Sequence, residues 1–145
     1  MDAPDAPLII PAVKDSEFDR LHYEFNAGVS RAVLSAKRVD ESALEMLANA
    51  LTRLGRHHEA LEVDRSIIRL APDSCVAHYN LACSFANLRL ADRAIEALAR
   101  AVDLGYRDLR TMIQDPDLEG IREDERFKTL VRRIRNGGSV PRKGK

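Results

Sequence analysis

Two adjacent histidines, His57 and His58, stand beside acidic side chains in a pattern that could ligate a metal ion or perform acid–base catalysis. The acidic residues that follow them are Glu59, Glu62 and Asp64. Neighbouring side chains on a helix point about 100° apart, so this pair cannot chelate one ion as an i, i+4 pair does. No His-Glu-x-x-His arrangement follows. We interpret the pair as a polar corner in the turn between two helices, with Gly55 easing the bend.

A second group, Cys75, His78 and Cys83, has spacings that also resemble a ligand set. On one helix, however, the side chains of His78 and Cys83 diverge by about 140°, too far to share a tetrahedral ion. The same geometry excludes a Cys–His nucleophile pair. Two cysteines about 12 Å apart along a helix are beyond disulfide reach, so we expect reduced thiols. We therefore predict no metal site.

No other pattern indicates catalysis. The chain has no phosphate-binding glycine loop, and its acidic clusters, such as QDPDLEG, are spaced for helix caps. Asp115 followed by Pro116 predicts that a helix starts at this point. We expect a non-enzymatic protein with no catalytic residues and no cofactor.

The composition is that of an ordinary globular protein. Of 145 residues, 45% are hydrophobic and 32% are charged, and the formal net charge is zero, so no overall field favours nucleic acid or a membrane. No apolar run reaches the ~18 residues that a membrane helix needs, and the acidic, proline-broken start does not resemble a signal peptide. Arginine outnumbers lysine 18 to 5, which suggests a GC-rich bacterial genome. We expect a cytoplasmic protein without membrane association.

The centre of the sequence repeats with a period of 34 residues. The segment ESALEMLANALTRLGRHHEALEVDRSIIRLAPDS (41–74) aligns without a gap to CVAHYNLACSFANLRLADRAIEALARAVDLGYRD (75–108). Each unit has the periodicity of two amphipathic helices joined by a polar turn. Such a period is typical of stacked helical hairpins, in which one unit cannot bury its apolar face alone.

Small residues recur where the helices of a hairpin would approach each other closely. They are Ala48, Ala60, Ala82, Ala94 and Ala101. A larger side chain at these positions would force the helix axes apart, at a cost of about 1–3 kcal/mol. The first helix of each unit also carries a more polar arc, roughly 140° from its apolar arc.

The two units resemble tetratricopeptide repeats. The matching residues are Leu44, Leu47, Ala48, Leu51, Ala60 and Pro72 in the first unit and His78, Leu81, Ala82, Phe85, Ala94 and Leu98 in the second. Asp64 stands where an aromatic residue is usual, and Tyr106 replaces the closing proline. The segment after residue 108 resembles the shortened terminal repeat of bacterial members. The resemblance implies an all-α fold, an α-solenoid of helical hairpins with N- and C-terminal capping helices.

These expectations divide the chain into a single helical domain with two ends. We expect a disordered or extended segment over 1–14, a helix over 15–38, repeats over 41–74 and 75–108, a partial repeat and cap over 109–135, and a disordered basic tail over 136–145. The closing helix would bury Ile121, Phe127, Leu130, Val131 and Ile134. The helix over 15–38 does not fit the repeat register, so it is either a degenerate repeat or a cap.

The resemblance also implies a concave groove, lined by the first helix of each unit, that binds a peptide or a partner protein. Its residues on this chain are Glu45, Asn49, Thr52, Arg53, Tyr79, Asn80, Cys83 and Asn87. Amide side chains suit an extended peptide backbone, and Tyr79 would be an aromatic anchor. Family members that clamp a C-terminal carboxylate carry a lysine where Glu45 stands, so we expect no carboxylate clamp.

Two alternatives remain open at the level of the sequence. A terminal helix that exposed Phe18 or Phe25 could pair two chains, so the protein is expected to be either a monomer or a homodimer. The basic tail RRIRNGGSVPRKGK (132–145) could contact nucleic acid, but it has no aromatic residue for base stacking and its composition suits a disordered end. The sequence thus disfavours nucleic acid as the partner.

Overall fold

The computed structural model describes residues 15–35 and 40–137, which form helices joined by short turns, with no strand among them. The α-helices are α1 (Asp15–Ser35), α2 (Glu41–Arg53), α3 (His57–Leu70), α4 (Cys75–Asn87), α5 (Ala91–Asp103), α6 (Leu109–Gln114) and α7 (Glu125–Arg135). A 3₁₀ helix (Pro116–Ile121) lies between α6 and α7. The all-helical class expected from the sequence is confirmed. Within the described residues, no helix has the length and apolar character to cross a bilayer.

Some expectations fall on residues that lie outside the described part of the chain. These are the segment 1–14, the last part of the helix expected over 15–38, and the basic tail from residue 138 onward. The helix α2 and its partner α3 lie within the predicted unit 41–74, and α4 and α5 lie within the unit 75–108.

Short polar side chains fix where several of the helices begin. The Asp40 carboxylate accepts the backbone N–H of Ser42 at 2.9 Å at the start of α2. The Ser74 hydroxyl accepts the N–H of Ala77 at 3.2 Å at the start of α4. Each oxygen satisfies a donor that the first helical turn leaves without a partner, which typically stabilises a helix by about 1 kcal/mol.

The two hairpins turn in the same way. Gly55 follows α2 with φ of 72°, and Arg89, which occupies the matching place after α4, has φ of 61°. After each of them, the next amide donates to the carbonyl five residues earlier, at 2.8 Å in the first turn and 3.0 Å in the second. This is the Schellman ending of a helix, which favours glycine in the left-handed position. The conformation therefore repeats even though the second unit has an arginine there.

The sequence interpretation placed His57 and His58 in the turn between helices, but the structure places them in α3. The turn occupies residues 54–56, and the two histidines are the first residues of α3. The reason is that the left-handed Gly55 reverses the chain within three residues, so the second helix starts earlier than the polar sequence suggested.

Successive helices pack against each other through closely spaced backbones. Contacts join α1 to α2, α2 to α3, α3 to α4 and α4 to α5. The turns at 54–56 and 88–90 are so short that the two helices they join must run antiparallel. The small residues at these contacts are all buried: Ala48, Ala60, Ala82, Ala94 and Ala101.

The C-terminal segment continues the core of the second hairpin. The 3₁₀ helix packs on α4 and α5, and α7 packs on α5. Met112 and Leu118 are fully buried beneath these contacts. Of the apolar stripe predicted for the closing helix, Ile121, Phe127, Leu130 and Ile134 are buried and Val131 is partly buried. This segment therefore covers apolar surface that α4 and α5 would otherwise expose.

The helix α1 buries one narrow face and exposes another. Ala27 and Ser30 are buried, and Ala27 packs with residues of α2. Phe18, Leu21 and Phe25, which we call the α1 stripe, are 65%, 64% and 69% exposed. Three large apolar side chains thus share a surface that no described part of the chain covers.

Candidate functional site

A concave pocket of about 290 Å³ lies between α2 and α4. We call it the central pocket. Its lining is Glu45, Ala48, Asn49, Thr52 and Arg53 from α2, Asp64 from α3, Val76, Tyr79, Asn80 and Cys83 from α4, and Asp115 and Asp117 from the start of the 3₁₀ helix. Side chains from the first helices of two successive hairpins thus meet the start of the 3₁₀ helix around one pocket.

The structure brings seven of the eight predicted groove residues to this pocket. They are Glu45, Asn49, Thr52, Arg53, Tyr79, Asn80 and Cys83. The eighth, Asn87, is the last residue of α4 and does not line the pocket. Its side-chain nitrogen is buried without a hydrogen-bond partner among the described residues. Its place in the groove stays a prediction, because helical periodicity continues to the end of α4 whereas the lining of the pocket does not.

Tyr79, for which the sequence interpretation predicted the role of aromatic anchor, is a buried residue of the pocket wall. It is only 5% exposed, and its ring stacks on Tyr106 with a centroid distance of 4.4 Å and an interplanar angle of 8°. Its hydroxyl donates to Asp115 Oδ2 at 2.7 Å. Burial, the neighbouring Cys83 and this hydrogen bond together raise the pKa of the Tyr79 hydroxyl well above its usual value. The sequence could not reveal these contacts, because Tyr106 lies at the end of the repeat unit of Tyr79 and Asp115 lies beyond that unit.

Asp115 connects α4 to the 3₁₀ helix. Its Oδ2 accepts from Tyr79 and from the Cys83 thiol, whose sulfur lies 3.8 Å away. Its Oδ1 accepts the backbone N–H of Asp117 at 3.0 Å, so it is also the N-cap predicted from Asp115-Pro116. Burial, and then the charge of Asp115, raise the pKa of the Cys83 thiol far above its usual value. The thiol is therefore neutral, and neutral thiols are poor nucleophiles.

Asp64 is a buried carboxylate that sequence reasoning missed as a site residue. It is 3% exposed, accepts the Ser84 hydroxyl at 2.5 Å through Oδ2, and leaves its buried Oδ1 without a partner among the described residues. Burial raises the pKa of Asp64 from 3.8 to about 6, which the Ser84 hydrogen bond opposes only in part. A signal was available: the repeat alignment pairs Asp64 with the fully buried Leu98.

The pocket brings together the atoms that a metal ion could use. One ligand atom each from Cys83, Asp115 and Asp117 lies within 4.8 Å of the other two. However, Asp115 already accepts from two side chains, and the neutral thiol would have to lose its proton to bind a metal. His78, from the group considered in the sequence, instead contacts the carbonyl of Pro72 through Nε2 at 2.8 Å. The arrangement suits hydrogen-bond donors better than a metal ion.

The charge of the pocket is predominantly negative. Its carboxylates are Glu45, Asp64, Asp115 and Asp117, and its single cation is the exposed Arg53. When all are ionised, these four carboxylates and one guanidinium give a formal charge of −3. A whole chain of zero net charge thus carries a concentrated negative charge at one concave surface.

A comparison with curated proteins shows a partial likeness. No protein-family model matches the chain. A chloroplastic protein from Arabidopsis thaliana is 34% identical over 83 residues, which cover 55% of this chain and 25% of that protein. The aligned region is thus about a quarter of the relative's length.

Proposed function

We propose that the protein is a non-enzymatic interaction module, a short α-solenoid of tetratricopeptide type that binds a peptide or an extended segment of a partner protein in the central pocket. The observation that carries this proposal is that Asn49 of α2 and Asn80 of α4, from successive repeats, line the same pocket. Each amide offers donors and an acceptor, which suits the backbone of an extended peptide. Neither side chain has a hydrogen-bond partner among the described residues, so both are free to bind.

The repeat geometry supports the tetratricopeptide assignment. The left-handed turns at Gly55 and Arg89 are one 34-residue period apart and have the same hydrogen-bond pattern. The small residues that the family needs between helices are buried at matching places in both hairpins, as at Ala60 and Ala94. The cover provided by α7 and the 3₁₀ helix is consistent with a C-terminal cap. We further propose that the module is cytoplasmic and, from its excess of arginine over lysine, bacterial.

The chemistry of the pocket supports binding over catalysis. No histidine lines the pocket, and the buried Cys83 thiol is held neutral beside Asp115. A cysteine nucleophile needs a lowered pKa, whereas burial and the charge of Asp115 raise the pKa of Cys83. The polar atoms of the pocket that have no hydrogen-bond partner among the described residues belong to amide, hydroxyl and charged side chains, which can form hydrogen bonds with a ligand.

The test is a selection of displayed random peptides on the full chain, followed by measurement of each dissociation constant. Binding through the pocket predicts that the double variant Asn49→Ala/Asn80→Ala weakens the selected peptides about tenfold, the sum of two ordinary hydrogen bonds. The matched control is Asn26→Ala/Asn136→Ala, which removes two amides outside the pocket. Equal weakening by both variants, or by neither, would overturn the proposal.

A second candidate function is self-association through the α1 stripe. Phe18, Leu21 and Phe25 are each more than 60% exposed, and adjacent exposed apolar side chains of this size are a common mark of an interface. A homodimer that buried them would dissociate on substitution with Phe18→Ser/Phe25→Ser, and light scattering of the full chain would report the fall in molar mass. A wild-type chain that stays monomeric at all concentrations would exclude this candidate and leave the pocket proposal intact.

A further inference from the structure

We propose that the central pocket receives a cationic side chain, lysine or arginine, of the bound peptide, with Asp64, Asp117 and Glu45 as its counter-charges. This inference rests on the proposed function, because it specifies which peptide the pocket selects. It concerns these three carboxylates of the pocket, whereas the general proposal concerns the amides of Asn49 and Asn80.

The first argument is the availability of acceptors. Neither Glu45 nor Asp117 forms a salt bridge or a side-chain hydrogen bond within the described residues, although both line the pocket. Carboxylates elsewhere on the described surface vary: Glu59 and Asp103 are paired with arginines, whereas Glu96 and Glu119 form no salt bridge with the described residues. The pocket therefore keeps carboxylates unpaired where a ligand can reach them.

The second argument is independent of surface charge and comes from Asp64. A buried carboxylate oxygen without a donor costs free energy in the folded protein, and Asp64 has such an oxygen, Oδ1. The residue lines the pocket from the side of α3. A donor from a ligand would give Oδ1 the partner that the described residues do not supply.

The third argument distinguishes a side chain from a metal ion. An ammonium group has three donors and a guanidinium has five, and both need only acceptors. The pocket also offers apolar surface at Ala48 and Val76, against which the aliphatic stem of lysine or arginine can pack. A metal ion would need the Cys83 thiolate or displacement of the bonds to Asp115, and would make no use of this apolar surface.

The experiment is a titration of the isotope-labelled full chain, followed by the NMR shifts of amides around the pocket. The probes are N-acetyl-arginine methylamide, N-acetyl-lysine methylamide and, as an uncharged control, N-acetyl-norleucine methylamide. We expect saturable shifts in α2 and α4 with at least one cationic probe and none with norleucine. The inference would be overturned if the norleucine probe caused amide shifts equal to those of both cationic probes, or if neither cationic probe caused any shift.

Variants test the counter-charge directly. Asp117→Asn should weaken the cationic probe about tenfold, because it removes one charge-assisted hydrogen bond. The matched control is Glu119→Gln, which removes one charge from the same 3₁₀ helix at an exposed position outside the pocket. If the two variants weakened binding equally, the probe would be attracted by the overall negative charge and not by the pocket, which would contradict the inference. Binding of Zn²⁺ that requires Cys83 and displaces the cationic probe would also contradict the inference, since the pocket would then be a metal site.

The selected peptides separate this inference from the proposed function. Replacing each lysine or arginine of a selected peptide with norleucine should weaken it about tenfold if the cation is recognised. If the replacement has no effect while Asn49→Ala/Asn80→Ala still weakens the peptide, the inference fails and the proposed function stands. If no selected peptide depends on Asn49 and Asn80, the proposed function fails. The titrations with capped amino acids still show whether the carboxylates of the pocket bind a cation.

Discussion

The Tyr79 hydroxyl donates a 2.7 Å hydrogen bond to Asp115, a residue 36 positions further along the chain. This bond joins the pocket wall in α4 to the first residue before the 3₁₀ helix. Together with the stacking of Tyr79 on Tyr106, it fixes the C-terminal segment against the second hairpin. The end of the pocket is therefore held by specific contacts, and the acidic residues there have defined positions.

The variant Tyr79→Phe removes this hydrogen bond and keeps the stacked ring. We expect the free energy of unfolding to fall by about 1–2 kcal/mol, the usual value for a bond to a carboxylate. Urea denaturation followed by circular dichroism measures the change. Tyr23→Phe is the control, because the Tyr23 hydroxyl makes no hydrogen bond with the described residues and its removal should have little effect.

Asp64 gives the protein a pH-dependent stability of unusual sign. Its pKa is about 6 when folded against 3.8 as an ordinary carboxyl, so between these values the folded chain keeps a proton that the unfolded chain has released. Raising the pH through this window therefore destabilises the fold, by about 3 kcal/mol in total. Asp64→Asn removes this titration. The free energy of unfolding of the variant, relative to that of wild type, should therefore rise by about 3 kcal/mol between pH 4 and pH 7.

The measurement for Asp64 is urea denaturation of both proteins across this pH range. The isosteric amide can still accept the Ser84 hydrogen bond, so the variant should fold. Glu119→Gln, at an exposed site, should show no change relative to wild type over the same range. A constant difference between Asp64→Asn and wild type at every pH would show that Asp64 titrates normally.

The turn after α4 has a residue that does not suit its backbone. Arg89 has φ of 61°, a conformation that costs L-residues roughly 1 kcal/mol or more. Arg89→Gly should therefore raise the free energy of unfolding by about 0.5–1 kcal/mol, although glycine also loses more entropy on folding. The reverse change, Gly55→Arg at the matching turn, should lower it by a similar amount. Thermal denaturation measures both variants, and a shift of the same sign in the two would contradict the shared turn geometry.

The close helix contacts predict that added volume is harmful at the buried alanines. Ala82 is 0% exposed between α4 and its neighbours, and Ala82→Leu should lower the free energy of unfolding by about 1–3 kcal/mol. Ala32→Leu, on the exposed part of α1, should change it by less than about 0.5 kcal/mol. Calorimetry of both variants provides the comparison, and an equal loss in both would mean that packing at Ala82 is loose.

Helical periodicity predicts the two hairpins. The resemblance to tetratricopeptide repeats predicts that Asn49 and Asn80 share a groove, and both line the central pocket, because side-chain direction on a helix follows from sequence spacing. The gap-free 34-residue alignment pairs Gly55 with Arg89, and both residues have left-handed backbone angles.

The remaining pocket residues depend on contacts between distant segments, which periodicity cannot show. Asp115 was predicted only as a helix cap, and its contact with Tyr79 requires the C-terminal segment to fold back on α4. For the same reason the sequence does not show that Tyr79 is buried against Tyr106 and Asp115. Asp64 was noted only as a departure from the apolar pattern, since burial of a carboxylate is visible only in three dimensions.

The central claim is that a partner peptide lies between α2 and α4. The most direct test is the detection of intermolecular nuclear Overhauser effects between an unlabelled selected peptide and the labelled full chain. We predict contacts from the peptide to the side-chain amides of both Asn49 and Asn80. Contacts confined to the rings of Phe18 and Phe25, with none to these amides, would contradict the claim.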